Sequence, residues 1–86
     1  MTVSITFSCD NEEYLVSLEG FGTAIVTETR TFELIPGSAM AITLEASDYD
    51  AISVQSPSIG SRTGKTVNYI VPIASETVIL TAINNN

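Results

Sequence analysis

Three groupings in this 86-residue sequence have side chains of the kinds that do chemistry. The first is carboxylates, Asp10, Glu12 and Glu13 in one stretch and Asp48 and Asp50 in another. Paired carboxylates can act as general acid and base, and hard oxygen ligands from two turns that meet could hold calcium. In turns, though, Asp and Asn ordinarily satisfy nearby backbone amides, and no calcium-loop spacing is present, so a structural role is expected. The second grouping is a nucleophile, Cys9 or a serine or threonine, in search of a base. The chain has no histidine, so the usual triads and the common zinc constellations cannot be built. A serine–lysine pair would have to use Lys65, which stands in a Gly/Ser-rich loop where a lysine is ordinarily solvated. The third is Gly60-Ser61-Arg62-Thr63-Gly64-Lys65-Thr66, which has a phosphate-loop look. The required spacing would place glycine at 59, where Ile59 stands, and no helix follows to offer its amides. Nucleotide binding is rejected, no cofactor, catalytic residue or metal site is assigned, and the chain is expected not to be an enzyme.

The elements that would position these groups are strands. Apolar residues alternate with period two almost throughout, and no helical i, i+3, i+4, i+7 pattern is sustained. Val3, Ile5 and Phe7 oppose Thr2, Ser4, Thr6 and Ser8; Tyr14, Val16 and Leu18 share a face opposite Leu15. A break is read at Gly20-Phe21-Gly22, followed by a β-branched run from Thr23 to Thr29 and, after a bend near Arg30, by Phe32 and Leu34. Pro36-Gly37 has the residues of a type II turn, and a hairpin is predicted with its tip there. Met40, Ile42, Leu44 and Ala46 give the next core face; Ser47 to Asp50 turns into a short strand with Ile52 and Val54 inward. Ser56 to Lys65 is expected to be the longest irregular loop, with Ile59 its only anchor. Val67, Tyr69 and Val71 alternate again, and the final run from Thr77 to Ile83 is apolar on both sides. Such a strand is either central and covered on both faces or lies against another chain. About seven strands with regular turns predict an all-β fold, a small antiparallel β-sandwich, as a single domain over residues 1–86.

Composition bounds the partners. The net charge is −7, with ten acids against Arg30, Arg62 and Lys65. Nucleic acid is therefore not an expected partner, since neutralising phosphates needs clustered cations, and anionic lipid is disfavoured for the same reason. No segment approaches the ~18 consecutive apolar residues of a membrane helix. The N-terminal residues lack the features of a secretory signal, so either the protein is used in the cytoplasm or an export segment has been removed. A single cysteine excludes an internal disulfide, and with so small a core the expected extra support is another protein chain. The polar faces are built of Ser and Thr rather than Lys and Glu, which suits close approach by another protein and leaves strand edges without charged guards.

From Phe32 to Ile83 the order of elements resembles the small bacterial Ig-like repeat modules of surface adhesins and phage fibres. The residues that carry the likeness are Pro36-Gly37-Ser38, Ala41-Ile42-Thr43-Leu44, the Asp48-Tyr49 corner, Ile52-Ser53-Val54, and Tyr69-Ile70-Val71-Pro72 leading into Thr77 to Ala82. Asp48 stands where the family usually has glycine. The resemblance implies an Ig-like sandwich with a structural or adhesive role and gives no site residues. Together with the absent catalytic groups, it leads to an expected function as a phage virion decoration or cement protein that stabilises a capsid or tail, or that pairs with itself as a homo-oligomer. A cell-surface adhesin module, with sugar binding as one option, is the alternative. The partner-binding candidates are Arg62 and Lys65, two cations of one loop in an acidic chain, and Ile79 and Ile83, the outward apolar residues of the final strand.

Overall fold

The computed structural model describes residues 1–10, 12–18, 22–45 and 49–83. Nine strands occur among them: β1 (Val3–Cys9), β2 (Tyr14–Leu18), β3 (Gly22–Val26), β4 (Thr29–Leu34), β5 (Ala39–Leu44), β6 (Ala51–Ser56), β7 (Gly60–Gly64), β8 (Thr66–Ile70) and β9 (Glu76–Ile83). They form a five-stranded sheet in the order β4-β1-β9-β6-β7 and a four-stranded sheet in the order β3-β2-β5-β8. All pairings are antiparallel except one: β1 and β9 run parallel at the centre of the larger sheet, Ile5 beside Glu76 through Cys9 beside Leu80.

Alternation decides which side of each strand is inside. Val3, Ile5 and Phe7 of β1, Ile52 and Val54 of β6, and Val78 and Leu80 of β9 are buried beneath the five-stranded sheet. Tyr14, Val16, Met40, Ile42, Val67 and Tyr69 meet them from the other sheet. Each fully buried side chain of this size contributes on the order of 1.5–3 kcal/mol. Phe7 sits at the middle, edge-on to Phe32 at 5.8 Å and to Tyr69 at 6.3 Å between ring centroids, the geometry that the ring quadrupoles favour.

Pro36-Gly37 does turn the chain. The Ser38 amide donates to the Ile35 carbonyl at 3.1 Å, and Gly37 has φ +91°, a conformation that glycine adopts without penalty. The turn is not a hairpin tip, because its two arms, β4 and β5, belong to different sheets. It is an arch over the open end of the sandwich, fastened there by the Gly37 amide donating to Val71 O at 2.8 Å and the Val71 amide donating to Ser38 O at 2.9 Å. Only β2–β3 and β6–β7 pair as consecutive strands; every other connection crosses between sheets.

The count of about seven strands rises to nine for two reasons. The run from Thr23 to Ile35 is divided at Glu28, whose φ of +55° breaks the extended backbone, so β3 and β4 leave for different sheets. The predicted long loop contracts to a tight turn over residues 57–59, and its remainder is the edge strand β7. Ile59 packs against the core from that turn, as its apolar character predicted. The break at Gly20-Phe21, the end of the core face at Ala46 and the corner residue Asp48 lie outside the described residues.

Candidate functional site

Two carboxylates, Asp10 from the candidate group and Glu76, hold the two ends of the sandwich together. Asp10 follows β1, and its Oδ1 accepts from the Glu12 amide at 3.1 Å and from the Tyr14 hydroxyl at 2.9 Å, while Oδ2 accepts from the Ala82 amide at 2.7 Å. One side chain thus ties β1, β2 and β9. At the opposite end Glu76 does the same. Its Oε1 accepts from the Ser58 amide at 3.0 Å, and its Oε2 from the Ser58 hydroxyl at 2.7 Å and from the Tyr69 hydroxyl. Burial pushes the Glu76 carboxyl up, but the hydrogen bonds from Tyr69, Ser58, Ser56 and the Ser58 amide outweigh it and hold the group below its ordinary value. The Tyr14 and Tyr69 hydroxyls are pushed far up, first by burial and then by the carboxylates they donate to, so both remain protonated donors.

The turn that holds Glu12 and the one that holds Tyr49 and Asp50 do meet, the Tyr49 hydroxyl donating to Glu12 Oε1 at 2.8 Å. Asp10, Glu12, Glu13, Thr27 and Glu28 line a dent at this end. Among the described residues, however, no three carboxylate or thiol groups converge as metal ligands. Cys9 is half-buried with its thiol towards the Val26 carbonyl, and burial, with Asp10 alongside, pushes it up to about 11. That is the reverse of what activates a thiolate nucleophile.

Two of the three cations close the sides of the sandwich. Arg62 extends from edge strand β7 of the larger sheet, and its Nη1 donates to the carbonyl of Asn68 on β8, the edge of the smaller sheet, at 3.2 Å. On the other side Arg30 of β4 lies over the Phe32 ring and donates to the Ile25 carbonyl on β3 at 2.9 Å. Lys65 occupies the bend between β7 and β8 and is exposed. Arg62 and Lys65 therefore stand at one edge, apart in role: one binds its own chain, the other projects from it.

Ile79 and Ile83 lie together on the outer face of the five-stranded sheet, Ile79 48% exposed near its centre and Ile83 half-buried at one end. Strand register sets what surrounds them. Thr31, Thr6 and Thr77 form one rank across β4, β1 and β9. Thr29, Ser8, Ile79, Gln55 and Ser61 form the next across all five strands, and Thr81, Ser53 and Thr63 a third. Thr6 and Thr31 share a hydroxyl hydrogen bond of 2.9 Å. Among the described residues the only charge on this face is Glu33 at a far corner, where it accepts from Ser4 Oγ at 2.5 Å and from Thr2 Oγ1 at 3.4 Å. The face of the smaller sheet bears a shallow apolar recess lined by Ser17, Leu18, Ala39, Ala41, Asn68 and Ile70.

The sequence placed Ile79 and Ile83 on a shared outward face and identified its Ser/Thr character. It missed the carboxylate–tyrosine ties: Tyr49 reaches Glu12 from 37 residues away, while Asp10–Tyr14 and Tyr69–Glu76, four and seven apart around turns, carry no motif that marks them. No family model, curated protein or solved structure matches this chain.

Proposed function

We propose that the protein is a non-catalytic interaction module of the virion decoration or cement kind, which joins a capsid or tail by laying its five-stranded face against other protein chains. The observation that carries this reading is that face: ranks of short hydroxyl side chains around Ile79, nearly free of charge in a chain of net charge −7. Short hydroxyls cost little side-chain entropy when covered, and no unpaired charge must be stripped of water. Asp10, Glu12 and Glu76 already accept hydrogen bonds from their own chain, which supports a structural rather than a catalytic role. The Ig-like kind of sandwich belongs to the same reading, supported by the many connections that cross between two mostly antiparallel sheets.

The test is incorporation. Particles isolated from cells that make the protein are assayed for it by quantitative mass spectrometry, with the unaltered chain and with Ile79→Lys and Thr77→Lys. Both substitutions are on the outer face and are expected to leave melting nearly unchanged, within about 0.5 kcal/mol, while incorporation falls at least tenfold. If the unaltered protein is missing from particles and is instead shaved from intact cells by added protease, the adhesin reading replaces this one.

A further inference from the structure

Four strands stand at the sheet edges, β4 and β7 on the larger sheet and β3 and β8 on the smaller, and their free backbone groups differ. Arginine side chains from the opposing sheet occupy the Ile25 carbonyl of β3 and the Asn68 carbonyl of β8. β7 has five residues with a glycine at each end, which weakens a strand. β4 has six residues, without glycine or proline. Its pairing with β1 shows which of its groups are unused. The Cys9 amide donates to the Glu28 carbonyl at 2.6 Å, one step beyond the Ser8–Thr29 pair. Bonded pairs recur at every second residue of an antiparallel ladder, so Arg30, Phe32 and Leu34 spend their amides and carbonyls on β1. Those of Thr29, Thr31 and Glu33 point away from the sheet, and no protein group among the described residues bonds them. Charge does not guard this edge either: Arg30 is turned to β3, and Glu33 accepts from Ser4 and Thr2. Such a row of donors and acceptors takes a further strand.

We infer that the strand added there is β4 of a second copy, run antiparallel about a two-fold axis at Thr31. Thr29, Thr31 and Glu33 of one copy then bond Glu33, Thr31 and Thr29 of the other, and every outward amide and carbonyl of both strands is used. The side chains match in this register. Thr31 meets Thr31, the kind of hydroxyl pair that Thr31 already forms with Thr6 at 2.9 Å. Arg30 stands opposite Phe32, a pair that already forms within the chain, with the guanidinium 4.7 Å from the ring centroid. Glu33 stands opposite Thr29, so no like charges face each other directly. Slipping to a neighbouring bonded register either sets Arg30 against Arg30 or pairs Thr29 with Ile35, whose carbonyl the Ser38 amide already uses. This self-complementarity, which an unrelated strand has no reason to share, selects the second copy. Charge sets the direction. Asp10, Glu12, Glu13, Glu28, Glu45 and Asp50 gather at the end of the sandwich where β4 begins. Antiparallel pairing turns the copies end for end and sends those acidic ends to opposite extremes, whereas parallel pairing sets them side by side. The rank Thr77, Thr6 and Thr31 then runs on through Thr31, Thr6 and Thr77 of the second copy, and the two larger sheets join into one face.

Amide exchange followed residue by residue at about 10 µM and about 1 mM, beside sedimentation velocity, tests it. The expected result is a reversible dimer in which exchange at Thr29, Thr31 and Glu33 slows about fivefold or more with concentration, while Thr23 on β3 and Thr66 on β8 are unaffected. Because each chain carries a net charge of −7, the Kd should tighten several-fold as salt rises from about 0.05 to 0.5 M. Thr31→Lys sets like charges opposite each other and should abolish the dimer. Thr31→Pro removes a central donor that β1 does not use and should do the same. Ile79→Lys, on the outer face of the sheet, should leave the dimer intact. Thr31 and Ile79 are exposed, and unchanged circular dichroism checks that the variants fold. A monomer at every concentration overturns the inference, as does a dimer that survives Thr31→Lys or that protects β3 or β8 instead. Protection of β4 in a monomer only when isolated particles are added would give the edge to a strand of the shell and overturn the second copy as its occupant. The dimer needs no particle, so its absence leaves the decoration role to be decided separately by the incorporation assay.

Discussion

Tyr14 and Tyr69 each bury a ring in the core and pass a hydroxyl to a carboxylate at the rim, Asp10 at one end and Glu76 at the other. Among the described residues no buried side-chain polar atom is left without a partner, so these ties complete the core. Removing one leaves a donor stranded, which costs more than the bond itself is worth. For Glu76 the consequence depends on pH. Its folded pKa lies below its unfolded value, so its stabilisation is fully present above the ordinary glutamate value of about 4.3 and is lost as pH falls through the folded pKa. Glu76→Gln is expected to lose about 1–2 kcal/mol at pH 7, the partial exposure of the group holding the loss to the lower part of the range. Urea titrations of both proteins from pH 7 to pH 3 check this. The gap between them should narrow below about pH 4, and a constant gap would remove Glu76 from the account.

At the scale of elements, the arginine clasps answer a problem that the strand composition creates. β3 and β8 are edge strands with no charged residue and no proline, the kind that adds strands from other chains. Arg30 and Arg62 reach across from the opposing sheet and occupy a carbonyl on each. Arg62→Ala is expected to speed amide exchange several-fold along residues 66–70 and to raise light scattering in concentrated solution, with melting only slightly lowered. Unchanged exchange would mean that the clasp does not guard the edge. Alternation made the core faces of β1, β2, β5, β6, β8 and β9 legible, because residues such as Ile5, Ile42 and Val78 face inward at every second position. It could not reveal β7, whose Gly-Ser-Arg-Thr-Gly sequence contributes no apolar side chain. Turn chemistry locates Pro36-Gly37 but says nothing about which sheet receives the next strand, so in sequence an arch has the same signature as a hairpin. The clasp of Arg62 was hidden for a similar reason: its acceptor is a backbone carbonyl, which every residue carries.

For the whole molecule the uneven charge is the governing feature. Six of the carboxylates crowd one end among turns that must fold against one another, and their mutual repulsion opposes that closure. Raising salt from about 0.05 to 0.5 M contracts the Debye length from roughly 14 to 4 Å and is expected to raise Tm by a few degrees. Calorimetry reads this directly, and a Tm that stays flat or falls would show the acidic end to be already relaxed.

The parallel pairing of β1 with β9 has a mechanical meaning. Suppose the chain is pulled by whatever lies before Val3 and after Ile83. The two strands are then drawn in opposite directions along their own axes, from the entry of one and the exit of the other. The slanted bonds between Ile5–Cys9 and Glu76–Leu80 are loaded together in shear, whereas a terminal hairpin would open one bond at a time. Rupture then requires the whole ladder to fail at once, at the centre of the larger sheet, so a domain with a small core can resist tension well beyond what its thermal stability suggests.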